Sequence, residues 1–145
     1  MSNVDLENLA ARIAQVLQPR QEILEAYLFG SRARGESRPG SDTDIAVFLD
    51  RARAPNPPFG YAAELTALLM TGLGDGSVDL VILNDAPPLL YHRVLRDGIR
   101  VLARDLMTTT TREGRALSRY CDFAVQLKKI DATQADRLVT GAFGR

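Results

Sequence analysis

Apolar residues near the start recur at helical spacing: Leu6, Leu9, Ile13 and Val16/Leu17 share one face, with Ser2 or Asn3 placed to cap and Pro19 to close. The spacing predicts an amphipathic helix over 4–18. The period then changes. Residues 23–29 form a strand candidate ending at Gly30, although Glu25 leaves a helical first turn open. Residues 43–49 read as a second strand, apolar on both faces in its far part as a covered central strand is. Between them, 31–35 is a short helix or turn and 37–41 a loop, because Pro39-Gly40 is turn chemistry.

Residues 51–58 carry three prolines and form a connector. Tyr61, Leu65, Leu68, Leu69 and Leu73 mark a second helix, ended by Gly72/Gly74 and Asp75-Gly76. Residues 78–83 predict a third strand, with Asp79 its one charge. Pro87-Pro88 opens a short helix to about Arg96, Gly98 stops it, and 99–102 is a last short strand. Beyond Asp105 the pattern is helical. Leu117, Tyr120, Cys121 and Ala124 lie on one face, which at Tyr120 and Cys121 serves either packing or a partner interface, and Ala135, Leu138 and Val139 mark a final short helix. Residues 108–111 are four threonines, a poor helix interior that predicts a cap or a hinge. The fold class expected is α/β (α+β): a small mixed β-sheet backed by helices, residues 1–105, followed by a helical C-terminal arm, 106–145.

Composition narrows the classes. Of 145 residues, 46% are hydrophobic and 25% charged, enough for one core. Eighteen basic and eighteen acidic residues cancel, which argues against a broad nucleic-acid-binding surface. No apolar run reaches membrane-spanning length and the N-terminus is not a signal peptide, so no membrane partner is expected. Cys121 is the single cysteine, which excludes an internal disulfide and points to a reducing cytoplasm. His92 is the single histidine, so a multi-histidine metal site or a histidine triad within one chain is excluded. Its expected role, beside Tyr91, is packing.

The chemistry concentrates between Gly30 and Asp44. Residues two apart on a strand point the same way, so Asp42 and Asp44 share a face. Carboxylates that close repel unless a cation sits between them, and magnesium takes one or two carboxylates plus phosphate oxygens. A two-metal site, with ions ~3.5–4 Å apart, needs a third carboxylate. Asp79, a charge amid Val78, Leu80, Val81 and Ile82, qualifies; Asp50, Asp75 and Asp85 sit where aspartate needs no explanation. At the other end Gly30 admits close backbone approach, Ser31 offers a hydroxyl and an amide, and Arg32 and Arg34 can hold phosphate oxygens. Alone, each of these is commonplace: a turn, a strand edge, or a solvated arginine such as Arg38. Their order in one chain is the signal.

Gly30-Ser31, ten intervening residues and Asp42-Thr43-Asp44 resemble the signature of the DNA polymerase beta-like nucleotidyltransferase superfamily, over roughly 20–103. The wording around them is similar to its minimal nucleotidyltransferase (MNT) branch, found as the antitoxin of HEPN-domain ribonuclease toxins. The resemblance implies a nucleotidyltransferase fold with Asp42, Asp44 and Asp79 binding two Mg2+ ions. Asp79 would also serve on the base side, with Gly30, Ser31 and Arg32 on the triphosphate. It implies transfer of AMP from ATP to a tyrosine of a HEPN partner, in a hetero-oligomer, and it is similar more loosely in the arm over 112–129. Two other readings stay open: a small-molecule nucleotidyltransferase, for which the forty residues after Asp105 are little material, and a nucleotide-binding module that neutralises its partner by contact alone.

Overall fold

The computed structural model describes residues 2–36 and 40–140, the last ten by backbone alone. Ser37, Arg38 and Pro39, which hold most of the expected loop, lie outside the described residues, as do the side chains of Ala135, Leu138 and Val139. The elements follow in the order α1 (Asn3–Leu17), β1 (Ile23–Phe29), α2 (Gly30–Ala33), β2 (Thr43–Leu49), α3 (Tyr61–Leu73), β3 (Val78–Ile82), α4 (Pro88–Asp97), β4 (Ile99–Ala103) and α5 (Leu106–Thr140). A single 3₁₀ turn, Leu83–Asp85, follows β3. Ser2 caps α1 in a box with Asp5, whose amide donates to the serine hydroxyl at 3.2 Å. Gly74, in the left-handed conformation, ends α3 as the sequence predicts.

The four strands lie in the order β3-β2-β1-β4. β1 runs antiparallel to β2 and β4, and β2 runs parallel to β3 through the crossover helix α3. β2 and β1 are thus central, as the apolar run of β2 requires. Alternation divides the side chains into two layers. Ala26, Leu28, Ile45 and Val47 face α1 and α3, meeting Ile13, Leu17, Leu65, Leu69 and Leu73. Tyr27, Phe29 and Ala46 face the other way, meeting Tyr91 and Val94 of α4 and Ala116 of α5. A bulge between Ile23 and Glu25 turns Ile23 toward the first layer, opposite Leu49, while Glu25 joins the second, opposite Phe48.

Two expectations for the C-terminal arm are corrected. α5 is one uninterrupted helix from 106 to 140, so there is neither a hinge at the threonines nor a separate final helix. The threonines are absorbed into its first turns: Asp105 caps by accepting from the amide of Met107 and the hydroxyl of Thr108, and Thr110 and Thr111 donate to the carbonyl of Met107. The face of Leu117, Tyr120, Cys121 and Ala124 divides between the two roles open to it: Tyr120 stacks on His92 and Ala124 is half-buried, while Leu117 is half exposed and Cys121 exposed. The residues α5 buries are instead Thr109 and Ala116. Polar anchors explain this. Thr109 donates to Glu25, and Glu113 takes the Tyr27 hydroxyl at 2.6 Å and pairs with Arg100, so the helix rotates its charged face onto the sheet. His92 packs as expected, its ring stacked on Tyr120 with centroids 3.6 Å apart.

Candidate active site

The Gly30–Asp44 stretch folds so that its two ends touch. β1 ends at Phe29 and the chain turns at once into the four-residue helix α2, then returns as β2 with Asp44 opposite Phe29. Gly30 adopts φ +74°, and a Cβ built there would lie 2.0 Å from the Asp44 carboxylate oxygen Oδ2. Only glycine satisfies both constraints, the left-handed backbone and the carboxylate packed against it. The glycine turn and the aspartate strand are therefore one structural unit.

β2 and β3 lie in parallel register with Asp44 beside Asp79 and Ala46 beside Val81. Adjacent strands lie about 4.8 Å apart, and register partners point to the same face. Asp42 stands just before β2, close enough for its charge to act on Asp44. The structure thus brings Asp44 and Asp79 side by side, on the layer that carries Phe29 and Ala46, with Asp42 nearby. Burial raises the Asp44 carboxyl above the ordinary aspartate range, repulsion from Asp79 and Asp42 raises it further, and Arg34 and Arg32 oppose the shift. A carboxylate so disfavoured is one that a cation would relieve.

Among the described residues, no group of three or more His, Cys, Asp or Glu converges tightly enough to enclose a metal ion by itself. The donor set is an open one, of the kind that suits magnesium: it keeps waters and binds through one or two carboxylates plus phosphate oxygens. The phosphate side fits an anion as well. Arg32 donates from Nη2 to the Ser41 carbonyl at 2.8 Å and lies 3.9 Å from Asp75, but its buried Nε has no hydrogen-bond partner. A buried, unsatisfied guanidinium N–H costs stability until an acceptor meets it. Ser31 is half-buried in α2. Arg34 is otherwise engaged, paired with Glu36 at 3.1 Å and with Asp97 of α4 at 3.7 Å.

One support escapes the sequence reading. Thr43 points to the opposite face from Asp44, is almost wholly buried, and donates to Asp75 at 2.8 Å. Asp75 also accepts from the Ser77 amide, and the Thr43 amide donates to the Ser77 carbonyl. The α3–β3 turn thereby fixes the start of β2, and Asp75 reaches Arg32 as well. In the sequence Asp75 is simply a turn aspartate, because its partners are distant along the chain. Asn84 similarly extends the β2–β3 pairing, its side-chain amide bonding both the N–H and the C=O of Leu49.

The family model "Polymerase beta, Nucleotidyltransferase" matches residues 11–106. The chain belongs to this nucleotidyltransferase family. The match ends where α5 begins, so all four strands and the three aspartates lie within it. Among solved structures, a minimal nucleotidyltransferase is 37% identical, covering 68% of this chain and 98% of its own, with a TM-score of 0.54. This supports the resemblance to the minimal branch. A chain from a toxin–antitoxin crystal structure with AMP-PNP is 25% identical, covering 86% of this chain and 96% of its own at a TM-score of 0.70. A chain from the Shewanella oneidensis complex of tri-AMPylated HEPN toxin with MNT antitoxin is 22% identical, covering 88% and 97% at a TM-score of 0.66, and shares the fold. A search of curated proteins finds no match. Among the described residues of this nucleotidyltransferase, no helix is long and apolar enough to cross a membrane.

Proposed function

We propose that this nucleotidyltransferase transfers AMP from ATP to a tyrosine hydroxyl of a HEPN-type toxin and so acts as its antitoxin, with Mg2+ as cofactor and the reducing cytoplasm as its setting. The observation that carries the reading is the Asp44–Asp79 register with Asp42 alongside and Gly30 packed against Asp44. A nucleotide-analogue complex and a tri-AMPylated toxin complex among the similar structures support the substrate and the acceptor.

In this reading Ser31 and Arg32 hold the triphosphate, the unsatisfied Arg32 Nε gaining a phosphate oxygen as acceptor. Asp42 and Asp44 hold Mg2+, with Asp79 completing the set for a second ion. Held there, Mg2+ would offset the charge of the phosphates and would lower the pKa of an attacking hydroxyl. Asp79, on the outer strand β3, faces the incoming tyrosine and takes up its proton. The tyrosine oxygen forms a bond to the α-phosphorus as the α–β phosphoanhydride breaks. Pyrophosphate leaves with its charge offset by Arg32. The arm from residue 106 is the surface offered to the toxin: Leu117, Val125, Leu127 and Ile130 are exposed along α5.

Incubation with ATP, magnesium and the cognate HEPN toxin should raise the toxin's intact mass by one or more AMP units. A wild-type protein that adds none, or an Asp42→Asn/Asp44→Asn variant that adds as much, would sink the proposal. If the toxin is nevertheless silenced in cells by that variant, neutralisation by contact is the better reading.

A further inference from the structure

A second cluster of chemistry lies on the same layer of the sheet, away from the three aspartates. Phe48 shares its face with Asp44 but sits four residues further along β2, about 13 Å at ~3.3 Å per residue. There, a cavity of about 350 Å³ opens between the end of β2, the turn after β3, α4 and α5. This is near the small end of the range for ligand pockets, roughly 300–1,000 Å³.

Its lining is arginine over aromatic rings: Arg51, Arg112, Arg115 and Arg119 with Phe48 and Tyr91. Arg112, Arg115 and Arg119 stand three and four residues apart, so α5 presents them as one stripe. Two of the four charges are compensated. Arg51 pairs with Asp85, and Arg112 Nε lies 3.1 Å from the buried Glu25 without the alignment of a hydrogen bond. Arg115 and Arg119 have no ion pair among the described residues, which leaves the cavity two positive charges in excess.

The second observation is Tyr91. It is 3% exposed, it lines the cavity, and its buried hydroxyl has no hydrogen-bond partner. Such a donor carries an unmet desolvation cost. Burial pushes the hydroxyl up to about 12, so it remains a donor at any physiological pH. An unsatisfied donor beside two uncompensated guanidinium groups calls for a doubly charged acceptor. Arg112 lies over the Phe48 ring, 4.2 Å from its centroid, and Arg119 approaches the Tyr91 ring at 6.0 Å, so the walls hold planar cations near aromatic faces.

We propose that this cavity is a second, phosphate-recognising site, separate from the reaction centre, whose ligand is a phosphate monoester carrying a flat ring, of the nucleoside monophosphate class. Arg115 and Arg119 take the phosphate, the Tyr91 hydroxyl donates to one of its oxygens, and the ring lies in the aromatic, apolar end of the cavity. Isothermal titration of the full chain with AMP, adenosine and inorganic phosphate tests it. AMP should bind at least tenfold more tightly than either fragment. That affinity should survive Asp42→Asn/Asp44→Asn, fall at least tenfold in Arg115→Ala/Arg119→Ala, and fall a few-fold in Tyr91→Phe. The arginines are exposed and Tyr91→Phe keeps the ring, so all these variants retain the fold. No AMP binding to the wild type overturns the proposal. So does binding that the arginine variant leaves intact, that the aspartate variant abolishes, or that inorganic phosphate or adenosine matches.

Discussion

At the residue scale the decisive contact is between Gly30 and Asp44. A methyl group at Gly30 would overlap the carboxylate at 2.0 Å and hold a side chain at φ +74°. Gly30→Ala should therefore lower stability by about 1–3 kcal/mol, the usual cost of such a backbone. The AMP-transfer rate should fall further than stability explains, by roughly a hundredfold, because displacing a reacting group by an ångström costs that much. Urea melts alongside toxin mass spectra separate the two effects, and an active Gly30→Ala would contradict the close packing. Asp44 itself predicts the opposite balance. Its carboxylate is held against burial and two like charges. Without magnesium, Asp44→Asn should raise the melting temperature by about 2 °C or more, since ~1 kcal/mol moves a domain of this size by 2–4 °C. Transfer should be lost. Added magnesium should stabilise the wild type and leave the variant unmoved, as thermal melts with and without the ion would show.

At the scale of elements, α5 is fastened to β1 by charge. Glu25 is fully buried in the central strand, accepts from Thr109 at 3.0 Å and pairs with Arg112. Burial raises its carboxyl, and Thr109 and Arg112 pull it back only in part. For a carboxylate shifted upward, the native state binds more protons than the unfolded chain between the two pKa values, so stability falls as pH rises through that window, from about 4.5 upward. Removing the cation deepens the effect: Arg112→Ala should cost about 3–5 kcal/mol at pH 7, the usual result of stranding one partner of a buried pair. The deficit should shrink at pH 5, and adding Glu25→Gln should recover most of it. Chemical denaturation at the two pH values measures both. This pairing also marks where sequence reading stopped. The strands, α1, α3 and α4 were legible because apolar periodicity alone covers the sheet. So was the candidate site, whose parts lie within fifteen residues and one later strand. The seating of α5 was not, because its buried face is threonine, arginine and glutamate, matched only by Glu25, Tyr27 and Arg100 far back in the chain. Leu117 and Cys121 have the period of a packed face and instead face outward. Asp75 is hidden in the sequence for the same reason: its partners Thr43 and Arg32 are brought to it only by the fold.

At the scale of the whole molecule, the sheet and its helices position the candidate nucleotide site, and the proposed acceptor must bring much of its own pocket. α5 then runs 35 residues, and among its described side chains those that bond to the sheet lie in its first turns. Beyond its first turns α5 leaves Leu117, Val125, Leu127 and Ile130 exposed, spread over almost four turns and around more than one side of the helix. They extend from the same helix that the β1 charges fix in place, so a protein docked on them is held at a set distance from Asp79. Contact and chemistry are then separable by mutation. Leu117→Asp/Val125→Asp should leave the melting temperature within about 2 °C of wild type, since neither residue is buried and surface changes are usually worth under ~0.5 kcal/mol. ATP affinity should be unchanged, while toxin binding falls at least a hundredfold and AMP transfer at fixed toxin falls with it. Raising the toxin concentration should restore transfer in this variant but not in Asp42→Asn/Asp44→Asn, which binds toxin and cannot modify it. Co-purification and toxin mass spectra over a concentration series distinguish the two; equal toxin binding by the α5 variant would move the docking surface elsewhere on the fold.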